Sequence, residues 1–128
     1  MDKSKILIID DDVDILESTK AFLESTNYEV SIAINSKNGL EIFKTFHPDL
    51  IILDVMMDTD LEGFNFLNYL KSDENLMKTP IIINTSMGKA MGVNLRTAVE
   101  DIDKLLITRF VDKSEDWNEL LKVIKELL

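Results

Sequence analysis

Five short apolar runs, alternating with longer stretches of helical spacing, restrict what this chain can fold into more than any other feature. The runs are Lys5–Asp10 (KILIID), Glu29–Ile34 (EVSIAI), Leu50–Asp54 (LIILD), Ile81–Thr85 (IIINT) and Arg109–Asp112 (RFVD). Unbroken runs of four to six residues, rich in Ile, Leu and Val, suit strands that are covered on both faces. Between them, Ile15, Leu16, Thr19, Phe22 and Leu23 fall on one helix face, as do Leu40, Ile42, Phe43 and Phe46. Phe64, Phe66, Leu67 and Leu70 give a further stripe, and Trp117, Leu120, Leu121, Ile124 and Leu128 a C-terminal one. Ser114, followed by Glu115 and Asp116, has the look of an N-cap with acids in the first turn. The connection from Ser86 to Thr108 is the least regular. It contains Gly88 and Gly92, and Val93, Leu95, Val99, Ile102, Leu105 and Leu106 fit one helix face only in part. A displaced helix or longer loop is expected there.

Strand and helix alternating in this way predict an α/β fold: a doubly wound, five-stranded parallel sheet with helices on both faces. The order 2-1-3-4-5 accommodates five strands. A chain of 128 residues without repeats or linkers is expected to be a single domain over 1–128. Its 14 Lys+Arg against 24 Asp+Glu give a net charge of −10, which leaves no basic surface for nucleic acid or an anionic membrane. There is no cysteine, so thiolate metal sites, disulfides and cysteine catalysis are excluded. With no apolar span or signal segment legible, a cytoplasmic location is expected.

In open parallel sheets, sites form beyond the carboxyl ends of the strands. The first run ends in Asp10-Asp11-Asp12, the third in Asp54 and the fourth in Thr85-Ser86, while the fifth leads into Lys113. The second run ends in Ile34-Asn35 and carries nothing ionisable. In the order 2-1-3-4-5 that run is the edge, so the chemistry gathers on four contiguous strand ends and skips the remote one. Two carboxylates about 4 Å apart repel by roughly 4 kcal/mol at an effective dielectric of 20. A cluster of Asp10, Asp11 and Asp54 therefore binds a proton or recruits a cation. All-oxygen donors favour a hard ion, and few carboxylates plus water suit Mg²⁺ better than Ca²⁺. Asp54 can serve as a nucleophile that forms an aspartyl phosphate, Lys113 can neutralise the transferred oxygens, and the Thr85 hydroxyl can hydrogen-bond one of them. Asp12 is assigned to helix capping, and His47, before Pro48, to an exposed loop.

The acid pair after the first run, the central Asp54, Thr85, and Phe110 three residues before Lys113 together resemble the response-regulator receiver family, over Lys5 to Leu128. The resemblance implies a flavodoxin-like fold and a phosphoacceptor switch of two-component signalling, not an enzyme in its own right. It makes Asp54 the phosphoacceptor, Asp11 a direct Mg²⁺ ligand, Asp10 a largely water-mediated one, and the Met56 carbonyl a third protein ligand. Thr85 and Phe110 become the switch pair and Lys113 the phosphate-sensing lysine. The implied partners are a sensor histidine kinase or histidine phosphotransfer protein and an unknown downstream protein. Because the receiver fold uses the whole chain, a stand-alone unit that signals by protein contact is expected. By the same resemblance Met56 and Met87 flank the path of an attacking water. Neither can orient it strongly, so the aspartyl phosphate is expected to be long-lived.

Three departures from the family pattern stand out. Asp58 occupies the place of a usual proline four residues after the phosphoacceptor, with Gly63 following late. Ser114 follows Lys113 where proline is usual, which predicts a trans bond there. The separation of Thr85 from Lys113 is also longer than usual. Two other functions remain open at this stage. A haloacid-dehalogenase-type phosphatase uses similar residues, but in the reverse order along the chain. A degenerate receiver would bind partners without being phosphorylated. Asp58-Thr59-Asp60-Leu61-Glu62-Gly63 copies the opening of a calcium loop, but Tyr69 stands where the bidentate Glu is needed.

Overall fold

The computed structural model describes residues 3–54, 78–85, 108–112 and 116–128. Within them run β1 (Lys5–Ile9), α1 (Val13–Ser25), β2 (Glu29–Ala33), α2 (Ser36–Phe46), β3 (Leu50–Leu53), β4 (Ile81–Thr85), β5 (Thr108–Asp112) and a C-terminal helix, here α3 (Trp117–Leu127). All five strands are parallel and lie in the order β2-β1-β3-β4-β5, as the alternation predicts. The Phe64–Leu70 stripe, the 58–63 loop, Met56, Met87, the 86–107 stretch, Lys113 and Ser114 lie outside the described residues.

Parity along the strands divides the core into two layers. Ile6, Ile8, Leu50, Ile52, Ile82 and Val111 face one side, where Leu16 and Leu23 of α1 and Leu120, Val123 and Ile124 of α3 cover them. On that side the Trp117 ring packs on Phe22, with centroids 4.6 Å apart and planes tilted by 32°. Ile9, of opposite parity in β1, meets α2 at Gly39. The sheet is therefore wound on both faces, and β1, β3 and β4 read as continuous apolar runs because both faces are buried.

Local chemistry sets the element ends. Asp12 caps α1, its carboxylate accepting from the amides of Asp14 at 3.0 Å and Ile15 at 3.2 Å. Asn35 caps α2 through the Asn38 amide at 2.7 Å, which gives the non-ionisable polar residue that follows the edge strand its role. The α3 cap is Asp116, which accepts from the Glu119 amide at 3.0 Å, and not Ser114. Here both Ser and Asp were competent, and the one next to the first periodic apolar residue, Trp117, took the role. His47 is exposed, as expected, and ends α2 in the left-handed region with φ 53° and ψ 61°. At the opposite end of the sheet from Asp54, the Lys5 amide donates to Asp49 Oδ2 and the Asp49 amide to the Lys5 carbonyl, both at 2.8 Å. That reciprocal pair fixes the entry of β3 beside the start of β1. An exposed Arg109–Glu126 ion pair at 3.0 Å joins β5 to α3, a type that contributes little in water.

Candidate functional site

The backbone carries two acids to the same place. Ile9 pairs with Leu53 in register, so the next residues, Asp10 and Asp54, leave adjacent strands side by side. Both remain hydrogen-bonded to the ladder: the Asp10 amide donates to the Ala33 carbonyl at 3.0 Å and the Asp54 amide to the Ile9 carbonyl at 2.9 Å. The strands thus end one residue before the acids, and those acids are still anchored by their own main chain. Asp11 follows immediately in the turn towards α1.

Carboxylate oxygens of Asp10, Asp11 and Asp54 all lie within 4.8 Å of one another. Asp10 and Asp54 are only 3% and 4% exposed, and Asp11 is half-buried. At such separations each pair of like charges repels by on the order of 3 kcal/mol at an effective dielectric of 20. The Asp12 amide answers part of this by donating to Asp10 Oδ1 at 2.9 Å. Converging oxygen donors without a sulfur or imidazole among them fit a small hard divalent cation. Sequence spacing placed these three acids together, and the geometry does the same.

Thr85 is the last residue of β4, on the strand next to β3. It pairs with Asp112, the residue before Lys113, and Phe110 lies within β5 opposite Ile83. The backbone therefore brings the Thr85 position to the same edge of the sheet as the acids. Met56 and Lys113 are outside the described residues.

Two features went unread in the sequence. Gly39 sits inside a helical stripe, and an ideal Cβ built there would fall 2.6 Å from Ile9 Cδ1; an interior helix glycine is itself a sign of close approach. Asn84, between Ile83 and Thr85, has a buried Oδ1 with no hydrogen-bond partner. A polar residue in an otherwise apolar run was its only trace.

Residues 6–125 match the response regulator receiver domain family. The chain belongs to that family. As a receiver domain it is homologous to two-component response regulators, and the phosphoacceptor role is the one the family implies. It is 29% identical over 124 residues to the response regulator Rre1 of Synechocystis, covering 96% of this chain and 51% of that protein. It is 35% identical over 88 residues to the probable transcriptional regulator ycf27 of Cyanophora paradoxa, covering 69% and 35%. The chain thus spans about half or less of these curated relatives. Among solved structures, a receiver domain protein of Methanospirillum hungatei superposes with a TM-score of 0.78 at 29% identity, covering 98% and 93% of the two chains. The chemotaxis protein CheY4 of Vibrio cholerae gives 0.84 at 24% identity, covering 99% and 100%, a likeness of fold. The receiver domain family is one of signalling switches. Among the described residues, no helix is long and apolar enough to cross a membrane.

Proposed function

We propose that this chain is a phosphoacceptor switch in which Asp54 takes a phosphoryl group from a phosphohistidine of a sensor histidine kinase or a histidine phosphotransfer protein. The observation that carries the reading is the convergence of Asp10, Asp11 and Asp54 within 4.8 Å at adjacent strand ends. A carboxylate oxygen of Asp54 attacks phosphorus, and the phosphorus–nitrogen bond of the donor breaks. The departing imidazole nitrogen keeps the electron pair and, with a proton on the ring's other nitrogen, the donor leaves as a neutral histidine while Asp54 becomes an aspartyl phosphate.

Asp10, Asp11, Asp54 and the Met56 carbonyl are the residues that would hold Mg²⁺. Bound there, the ion supplies positive charge to the acidic pocket and to the phosphoryl oxygens. Lys113 contributes its ammonium to the same oxygens and Thr85 its hydroxyl. Asp10 and Asp54, anchored by their own amides, hold the reacting oxygen in place, which is most of what such a site contributes. One phosphoryl group is taken up per cycle, so the chain acts as a signalling protein with residues 1–128 as one receiver unit. Its pI near 4.5 favours output through a protein surface over direct contact with nucleic acid or membrane, in the cytoplasm.

Incubation with acetyl phosphate and Mg²⁺, followed by intact-mass measurement, tests this. One stable phosphoryl group, absent from Asp54→Asn, is expected. Steady release of phosphate with turnover would point instead to a phosphatase. No reaction would point to a receiver that binds partners without phosphorylation.

A further inference from the structure

We propose that Gly39 is a positioning residue for the acidic cluster: by lacking a Cβ it lets Ile9 seat against α2, and that seat sets the Asp10–Asp54 spacing. The inference rests on the functional reading above and extends it to a residue on a helix that contributes no ligand. Ile9 is completely buried and is tied to the cluster twice. It directly precedes Asp10 in the chain, and its carbonyl accepts the Asp54 amide at 2.9 Å. Movement of Ile9 is therefore transmitted to both acids together.

The seat is tight. A Cβ at position 39 would lie 2.6 Å from Ile9 Cδ1, 3.1 Å from Cγ1 and 3.7 Å from Cγ2. The terminal methyl alone could swing aside in open space, but Ile9 has no exposed surface into which to swing, and interiors are packed too densely to absorb a methyl freely. Moving the methyl also leaves the close approach to Cγ1. The strand end and the helix must then separate slightly. Mg²⁺ requires near-ideal octahedral ligands at short distances, so a displacement of a few tenths of an ångström at these carboxylates matters to it.

Gly39→Ala also separates positioning from ordinary stability. Alanine is the better helix former, but the contact with Ile9 costs packing whatever happens at the acids, so a purely structural role predicts a less stable chain with unchanged Mg²⁺ affinity. Calorimetric titration of the full chain with Mg²⁺, paired with thermal melts without metal, reads the two apart. Gly39→Ala is expected to weaken Mg²⁺ binding by about tenfold, the scale seen when groups supporting metal ligands are altered. Ile9→Val, which removes the 2.6 Å approach at Cδ1 and keeps the milder one at Cγ1, should restore part of that affinity when combined with Gly39→Ala. Equal affinity in the parent and Gly39→Ala overturns this inference and leaves the functional reading intact, as does a loss that Ile9→Val fails to rescue. Absence of Mg²⁺ binding in the parent chain overturns the metal reading and this inference with it.

Discussion

The main-chain amide of Asp12 donates to Asp10 Oδ1 at 2.9 Å, while the Asp12 carboxylate turns the other way and caps α1. Three consecutive acids thus divide their work: Asp10 and Asp11 face the cluster, and Asp12 starts the helix. Asp12→Ala is expected to lower stability by about 1 kcal/mol through loss of the cap, and Asp12→Ser to recover most of it. Urea denaturation measures both. Because the amide that serves Asp10 is main chain, phosphorylation by acetyl phosphate should persist in Asp12→Ala and disappear in Asp54→Asn. Loss of labelling in Asp12→Ala would show that its side chain belongs to the site.

Asn84 places an unpartnered amide oxygen on the face it shares with Ile82 and Val111, its register partner on β5. A buried acceptor without a donor costs about 1–3 kcal/mol in desolvation. Replacement by a β-branched apolar residue suited to a strand removes that cost. Asn84→Val is expected to stabilise the unphosphorylated chain by about 1–2 kcal/mol. A lower denaturation midpoint for the variant would mean that the oxygen is satisfied in solution.

His47 holds φ 53° at the C-cap of α2, immediately before Pro48. An L-residue in the left-handed region is strained by about 1 kcal/mol, and a β-branched one by more. His47→Gly should be neutral or slightly stabilising, whereas His47→Val should cost about 1–2 kcal/mol. Thermal melts of the pair decide it; equal melting temperatures would refute the strain.

Tyr28 packs against the α1/α3 side of the core, and burial raises its phenol above the ordinary value of 10.0. The folded state therefore holds the proton more tightly than the unfolded state. The sign follows: this contribution to stability is fully present below about pH 10 and is lost as the pH climbs through the raised value. Denaturation midpoints should fall above pH 10, and part of that fall should vanish in Tyr28→Phe. An identical alkaline limb in the Phe variant would assign it elsewhere.

The strand ends were legible because sequence position and register coincide in a parallel sheet. Once the order β2-β1-β3-β4-β5 is assumed, Asp10, Asp54 and Thr85 must leave on one edge. Boundaries were read with smaller errors: the apolar runs were extended through Asp10 and Asp54, whose amides stay in the ladder while their side chains serve the cluster. Ser114 and Asp116 were both competent caps, and choosing between them required the phase of α3. Leu128 and Trp117 fit the helical stripe yet are about half exposed, because they stand at the two ends of α3, while Val123, outside the stripe, is buried. The Gly39–Ile9 contact was hidden for a deeper reason. Periodicity says which face of a helix turns inward, but not how near that face comes to the strand beneath it.

The aromatic stack of Trp117 on Phe22 joins the first helix to the C-terminal one. During synthesis this has an order in time. Leu16, Phe22 and Leu23 leave the ribosome early, with their cover still to be translated. Only when Leu120, Val123 and Ile124 emerge can the layer over Ile6, Ile8, Leu50 and Ile52 close. A nascent chain stalled before residue 117 would carry an open apolar face, the kind of surface that chaperones retain and that aggregates when they do not. Closure of the apolar layer on this face of the sheet is thus coupled to arrival of a helix that contributes no acid to the cluster.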